Sequence, residues 1–193
     1  MSGAREPDVP PSTAHPIARW RARLAVALVR RRVLLGFLFG AVVIWLATPT
    51  WRSLAAGAAV ALTGESLRIW AAGHVEKSRE VTRSGPYQFT RHPLYLGSAV
   101  IGLGVAIACG SWPVAALVAL YLATTVAAAI RAEEAHLREK FGGEYDAYVA
   151  RLAPPMVRSF SVARALANRE HHTLGGLIVA LALLALKVRL SLP

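Results

Sequence analysis

Cysteine is all but absent from this chain. The single Cys109 can close no internal disulfide and can build no CxxC metal site, so neither an oxidising compartment nor structural zinc is implied. Acidic residues are scarce as well, 11 against 22 Lys and Arg, which leaves a formal net charge of +11. No paired inverted repeat is visible, so a transporter has little support. A dinucleotide fingerprint is missing too: Gly102-Leu103-Gly104 has no third Gly, no preceding strand and no downstream acid. Within an apolar run, those glycines suit close helix packing instead.

The excess of positive charge invites a nucleic-acid reading, and its placement decides against one. Seven of the 22 Lys and Arg precede the first apolar run, four lie between His74 and His92, and seven between Arg131 and Arg169. The turns between these segments hold only Arg52. Such alternation is the positive-inside bias of a membrane protein, with basic patches facing anionic lipid headgroups. A hydrophobic fraction of 55% and a mean hydropathy of +0.43 point the same way, since soluble domains average roughly 45 to 50%.

The expected architecture is all-α, a polytopic integral membrane protein with about five transmembrane helices and an N-terminal interfacial helix. Residues 1–16, rich in Pro, Ser and Ala, form a disordered tail. Over 17–32, Ile17, Trp20, Leu24 and Leu28 recur at helical spacing among arginines, as in a basic amphipathic helix at the interface. A signal peptide is the competing reading; its charged region would be unusually long, and Pro49 spoils the end of the apolar stretch. Residues 33–193 then make one membrane-embedded domain. Crossings are expected at about 33–47 and 54–72, the second carrying Glu65 and Arg68 on one face. Intramembrane charges suggest a site by default, here the wall of a lipid-entry cleft, with mutual pairing as the plain alternative.

The 38 positions from Pro93 to Ile130 carry no charge, and Gly110-Ser111-Trp112-Pro113 interrupts them near the middle. One crossing takes about 20 residues, so this run goes over and comes back as the third and fourth helices. Arg91-His92-Pro93 and Arg131-Ala132-Glu133-Glu134 therefore end on the same face, expected to be cytoplasmic together with the N-terminus. Residues 137–149 read as a cytoplasmic helix or turn broken at Gly142-Gly143. A basic, weakly amphipathic stretch over 157–172 would lie along the interface. Residues 173–190 make a fifth apolar segment, although Lys187 and Arg189 at its end run against the charge rule. Trp45, Trp51 and Trp112 fall at outer ends and Trp70 at an inner one, as aromatic belts do.

Taken singly, Arg91 and Arg131 are routine anchors, Pro93 a helix start and Glu133-Glu134 a solvated patch. Together they place cations and carboxylates side by side at a membrane face. A zwitterion would use both: its carboxylate wants Arg, His and a helix N-terminus, its ammonium wants Glu. The tail of S-adenosylmethionine is such a zwitterion, with a sulfonium nearby.

The series Gly85-Pro86-Tyr87, Arg91-His92-Pro93-Leu94-Tyr95-Leu96-Gly97, Glu133-Glu134, then Phe141-Gly142 with Tyr145 and Tyr148, resembles the membrane-embedded isoprenylcysteine carboxyl methyltransferases and their phospholipid-methyltransferase relatives. The resemblance covers about residues 65–155. It implies an S-adenosylmethionine-dependent methyltransferase of transmembrane helices. Tyr87, Arg91, His92, Pro93, Tyr95, Gly97, Glu133 and Glu134 would form or support the cofactor pocket. Arg151 matches a basic position near the substrate headgroup in that family, while Pro154-Pro155 departs from the family's separated prolines.

The expected acceptor is lipophilic and enters from the bilayer: a prenylated cysteine carboxylate, an aminophospholipid or a small hydrophobic acid. Glu65, Arg68 and Arg151 are the candidate substrate contacts, and Arg151, Glu134 and His92 the candidate catalytic groups. A carboxylate acceptor needs no base, whereas an amine needs one, with Glu134, His92 or His74 available. No metal and no nucleic acid are expected; membrane lipids are the surrounding partners. A non-catalytic membrane binder or subunit of the same fold is the alternative.

Overall fold

The computed structural model describes Leu34 and residues 36–190. The expected tail over 1–16 and interfacial helix over 17–32 lie outside the described residues. Those described are helices and turns, without a strand. They form α1 (Gly36–Leu46), α2 (Trp51–Ala72), α3 (Pro93–Cys109), α4 (Trp112–Phe141), α5 (Gly143–Val149), α6 (Val162–Ala167) and α7 (Glu170–Leu190), with a 3-10 turn at Gly85–Gln88. The chain divides into two compact units at Ala41 and Val42. The described part of the first is helical.

The start of α2 is set by a capping box, in which Thr50 Oγ1 accepts from Ser53 N at 3.1 Å and Ser53 Oγ accepts from Thr50 N at 2.9 Å. The helix therefore begins at Trp51, three residues before the expected crossing. Its packing against α3 follows from missing side chains. A Cβ on Gly57 would come within 2.4 Å of Ala108 N, one on Gly64 within 2.7 Å of Ile101 N, and one on Gly104 within 2.4 Å of Ala61 N. The two backbones touch along this stripe, the association that small residues permit where lipid offers no hydrophobic drive.

The hairpin expected from the uncharged run forms. Gly110 takes φ 63°, a left-handed stop to α3, and Pro113 sits in the first turn of α4, where its missing N–H is harmless. Thr48 N donates to Cys109 O at 2.8 Å and ties the α1–α2 link to this turn. Beyond Ile130, α4 stays helical to Phe141, 30 residues in all, or about 45 Å. Glu133 and Glu134 are thus on the helix itself.

Among the described residues only α4 and α7 are clearly long and apolar enough to cross a bilayer, two of the five crossings expected. The described stretch of α1 and the 17-residue α3 are apolar but shorter. At 22 residues α2 has the length, but it carries Arg52, Glu65 and Arg68.

The fifth apolar segment is α7, which opens at Glu170. Lys187 at its far end donates to Ile44 O at 2.9 Å and Trp45 O at 2.7 Å, so this cation caps carbonyls at the end of α1. That explains its place against the charge rule. The expected interfacial stretch over 157–172 is helical only at the six residues of α6 and from the start of α7 at Glu170. Arg169 takes φ 62°, and Arg164 and Asn168 turn back to the end of α2 instead of spreading along a surface.

Candidate functional site

Four short pieces meet where the hairpin ends: the link 73–84 after α2, the 3-10 turn, the start of α3, and the end of α4 with α5. Gly85 takes φ 58°, and a Cβ there would stand 2.7 Å from the His74 ring, so glycine is required on both counts. The turn it opens buries Tyr87. Arg91 and His92 follow, and Pro93 starts α3 with no side chain capping the first turn.

Glu134 gathers three basic side chains. His92 Nε2 donates to its Oε1 at 3.1 Å, Arg91 Nη1 lies 3.4 Å from the same oxygen, and Arg138 Nη1 lies 3.6 Å from Oε2. The His92 hydrogen bond, with Arg91 and Arg138 behind it, holds this carboxyl below the usual carboxylate range against a smaller opposing cost of burial. Glu133, one position earlier, is exposed and lies within hydrogen-bonding reach of the Tyr95 hydroxyl.

Tyrosines frame the other side. The Tyr148 hydroxyl donates to Tyr87 O at 2.7 Å, and burial, with Tyr145 nearby, pushes its pKa up to about 12. Burial, reinforced by Glu133, raises Tyr87 as well. Tyr145 is 1% exposed; its ring lies under the Arg138 guanidinium at 5.6 Å, and its hydroxyl finds no partner among the described residues.

Between these groups lies a cleft of about 180 Å³, bordered by Glu76, Glu80, Tyr87, Arg91, Glu133 and Tyr145 among others. A second cleft of about 220 Å³ shares Tyr87, Arg91 and Tyr148 with it and reaches Arg151, which takes φ 58°. Tyr87, Arg91 and Glu133 thus border the first cleft, and Arg151 the second. His92 and Glu134 stand behind Arg91 and fix it; Pro93 is buried at the helix start; Tyr95 sits beside Glu133.

Gly97 does not face the clefts. Its Cα packs on α2, where a Cβ would come 2.5 Å from Arg68 Cγ and 2.8 Å from Gly64 O. Glu65 and Arg68 also border neither cleft. Arg68 forks onto Glu170, with Nη2 at 2.9 Å from Oε2 and Nε at 3.2 Å, and also donates to Leu94 O and Ser98 Oγ. Glu65 is 3.8 Å from Arg68 Nε, 1% exposed, and its carboxylate accepts no hydrogen bond among the described residues. His74 is buried, with Nδ1 2.9 Å from Trp70 O, in a structural position.

Glu76, Glu80 and Arg158 were not singled out by the sequence, because a charged loop between helices reads as solvated surface. Glu170 carried a faint signal, a lone acid at the head of an apolar run. Among the described residues, no three His, Cys, Asp or Glu side chains gather as a metal site requires.

Comparison with known proteins bears on the same residues. The nickel-cobalt-cadmium resistance protein NccN of Alcaligenes xylosoxydans xylosoxydans is 33% identical over 145 residues, covering 72% of this chain and 63% of that protein. The chain therefore spans less than two thirds of that relative's length. No solved structure matches. Residues 31–144, more than half of the chain, match the phospholipid methyltransferase family, a span that contains the hairpin, both of its charged ends and the cleft loop. The chain belongs to the phospholipid methyltransferase family.

Proposed function

We propose that this chain is a multi-pass membrane methyltransferase that uses S-adenosylmethionine and acts on a lipophilic acceptor entering from the bilayer, with its N-terminus and clefts on the cytoplasmic face. The observation that carries this reading is the convergence of Arg91, His92 and Arg138 on Glu134 beside a cleft of mixed charge.

The residues fit a zwitterionic ligand. Arg91 suits its carboxylate, Glu133 suits its ammonium, and the orphaned Tyr145 hydroxyl offers a buried hydrogen bond, all three bordering the cleft. When bound, S-adenosylmethionine supplies an electrophilic methyl group on a sulfonium. The chain's own part is to align two reactants and exclude water, worth up to about 7 to 11 kcal/mol in favourable cases.

Proton chemistry weighs on the choice of acceptor. Glu134, held ionised by its hydrogen bond to His92 and by Arg91 and Arg138, is a weak base. His92 and His74 each have one ring nitrogen engaged, with Glu134 and with Trp70 O, and neither borders a cleft, whereas His136 borders the first one. An amine acceptor would use a base such as His136, while a carboxylate acceptor, such as an isoprenylcysteine's or a small hydrophobic acid's, needs none. Arg151 on the adjoining cleft suits its anionic end.

That a relative is described as a metal-resistance protein, with no methyl transfer in its name, leaves room for a second reading, a non-catalytic membrane protein that keeps the fold. Incubating purified protein with methyl-labelled S-adenosylmethionine and host lipid extract tests both. A labelled lipophilic product is expected; none, across lipids and small acids, would favour the second reading.

A further inference from the structure

The stretch from Arg158 to Asn168 lies beyond the family-matched residues, and none of it borders the main cleft. Four successive carbonyls at the end of α2 nevertheless bond to it. Asn168 Nδ2 donates to Ala72 O at 2.9 Å and to Val75 O at 3.1 Å. Arg164 Nε donates to Gly73 O at 2.9 Å, and Arg158 Nη1 to His74 O at 3.3 Å. A helix end leaves such carbonyls orphaned, so this stretch is a strap that caps α2. Phe160 seals it, its ring so close over Gly73 that a Cβ there would come within 2.2 Å.

Arg158 reaches further. It forks onto Glu80, with Nη2 at 2.8 Å from Oε2, and lies 3.6 Å from Glu76 Oε1. Both carboxylates border the cleft, while Arg158 stands behind them. Removing it would leave one net negative charge on the cleft wall, since Lys77, which also borders the cleft, offsets only one of the two carboxylates. Its field would favour any ligand with an added positive charge.

We infer that Arg158 is a positioning residue: it anchors the wall formed by residues 75–82 and, together with Lys77, balances the charges of Glu76 and Glu80, and so sets the cleft's preference between the sulfonium donor and its neutral thioether product. The inference rests on the reading of the cleft as the donor's site. A neutralised wall holds the two ligands on nearly equal electrostatic terms, so the preference rests on groups other than this wall.

Two measurements on the full-length protein test it. Hydrogen exchange without ligand should be about tenfold faster over residues 75–82 in Arg158→Met than in the wild type, since a charged, bidentate anchor is lost. Unchanged exchange there would overturn the anchoring role, whatever the cleft binds. Calorimetry with S-adenosylmethionine and S-adenosylhomocysteine should then show the ratio of their affinities moving about fivefold toward the sulfonium in Arg158→Met. Arg158→Lys should stay near wild type, and Glu80→Gln should move the ratio the other way. Equal changes for both ligands would overturn the charge-setting role. Should Arg158→Met fail to fold, Glu80→Gln alone decides, and an unchanged ratio there overturns it. Wild-type protein that binds neither ligand would overturn the donor-site reading itself, with the exchange result standing apart.

Discussion

Glu134 is the residue on which the hairpin's two ends close. One of its oxygens meets His92 and Arg91 and the other meets Arg138, so deleting it frees all three partners and releases Arg91 from its place at the cleft. Glu134→Ala and Arg91→Ala are each expected to weaken S-adenosylmethionine binding at least tenfold, about 1.4 kcal/mol, as read by calorimetry. Wild-type affinity in both would reduce the cluster to a membrane anchor. The acid response has a definite sign. A carboxyl whose folded pKa is depressed contributes stability above its unfolded pKa of about 4.3, and that contribution is lost as pH falls through the folded value. Melting temperature should therefore fall below about pH 4 in the wild type, and Glu134→Gln should lack that part of the acid limb. Equal acid limbs in both would contradict the assigned network.

Much of this cluster was legible at the level of residues, because helical rise and bilayer thickness alone carry the chain from Pro93 out and back beside Glu133 and Glu134. Gly97 packs on α2 and borders neither cleft, a placement that sequence does not reveal. A glycine next to a motif can serve a ligand or a neighbouring helix with equal ease in sequence, and only the 2.5 Å approach of a Cβ to Arg68 Cγ distinguishes them. Glu76 and Glu80 were illegible because their partner Arg158 is 78 or more residues away in sequence, in a segment whose path no periodicity reports.

At the scale of helices, α2 and α3 are held by absence of side chains, and this makes a graded prediction. At Gly57 an added Cβ meets backbone and Cβ atoms of α3 at 2.4 to 2.6 Å, whereas at Gly102 it meets a Leu122 methyl at 2.3 Å, which a rotamer change can move. Gly57→Ala should cost about 1 to 3 kcal/mol and Gly102→Ala clearly less, compared by thermal unfolding in one detergent. Equal losses would mean that α2 and α3 do not touch along this stripe. Arg68, with Glu65 and Glu170, joins α2 to α7 in the same apolar surroundings. Arg68→Leu should destabilise by about 3 to 5 kcal/mol, since it leaves two buried acids unpaired, and adding Glu170→Leu should recover part of the loss. The sequence marked Glu65 and Arg68 as a pair; it could not reveal that α7 brings a second carboxylate, because that contact depends on tertiary folding.

For the whole molecule, a crossing by α4 is expected to put the turn at Ser111 and the cleft residue His136 on opposite sides of the membrane. Single cysteines at these positions, in protein whose Cys109 is replaced by Ala, should label with a membrane-impermeant reagent from opposite faces of oriented vesicles. Labelling of both from one face would remove the crossing by α4, one of the two helices with clear spanning length.

The central claim is that the cleft at the hairpin's end holds a zwitterionic methyl donor, and titration calorimetry of the purified wild-type protein tests it most directly. The account predicts saturable, one-site heat with both S-adenosylmethionine and S-adenosylhomocysteine, sharply reduced in Arg91→Ala. No heat with either ligand from protein that unfolds cooperatively would contradict it.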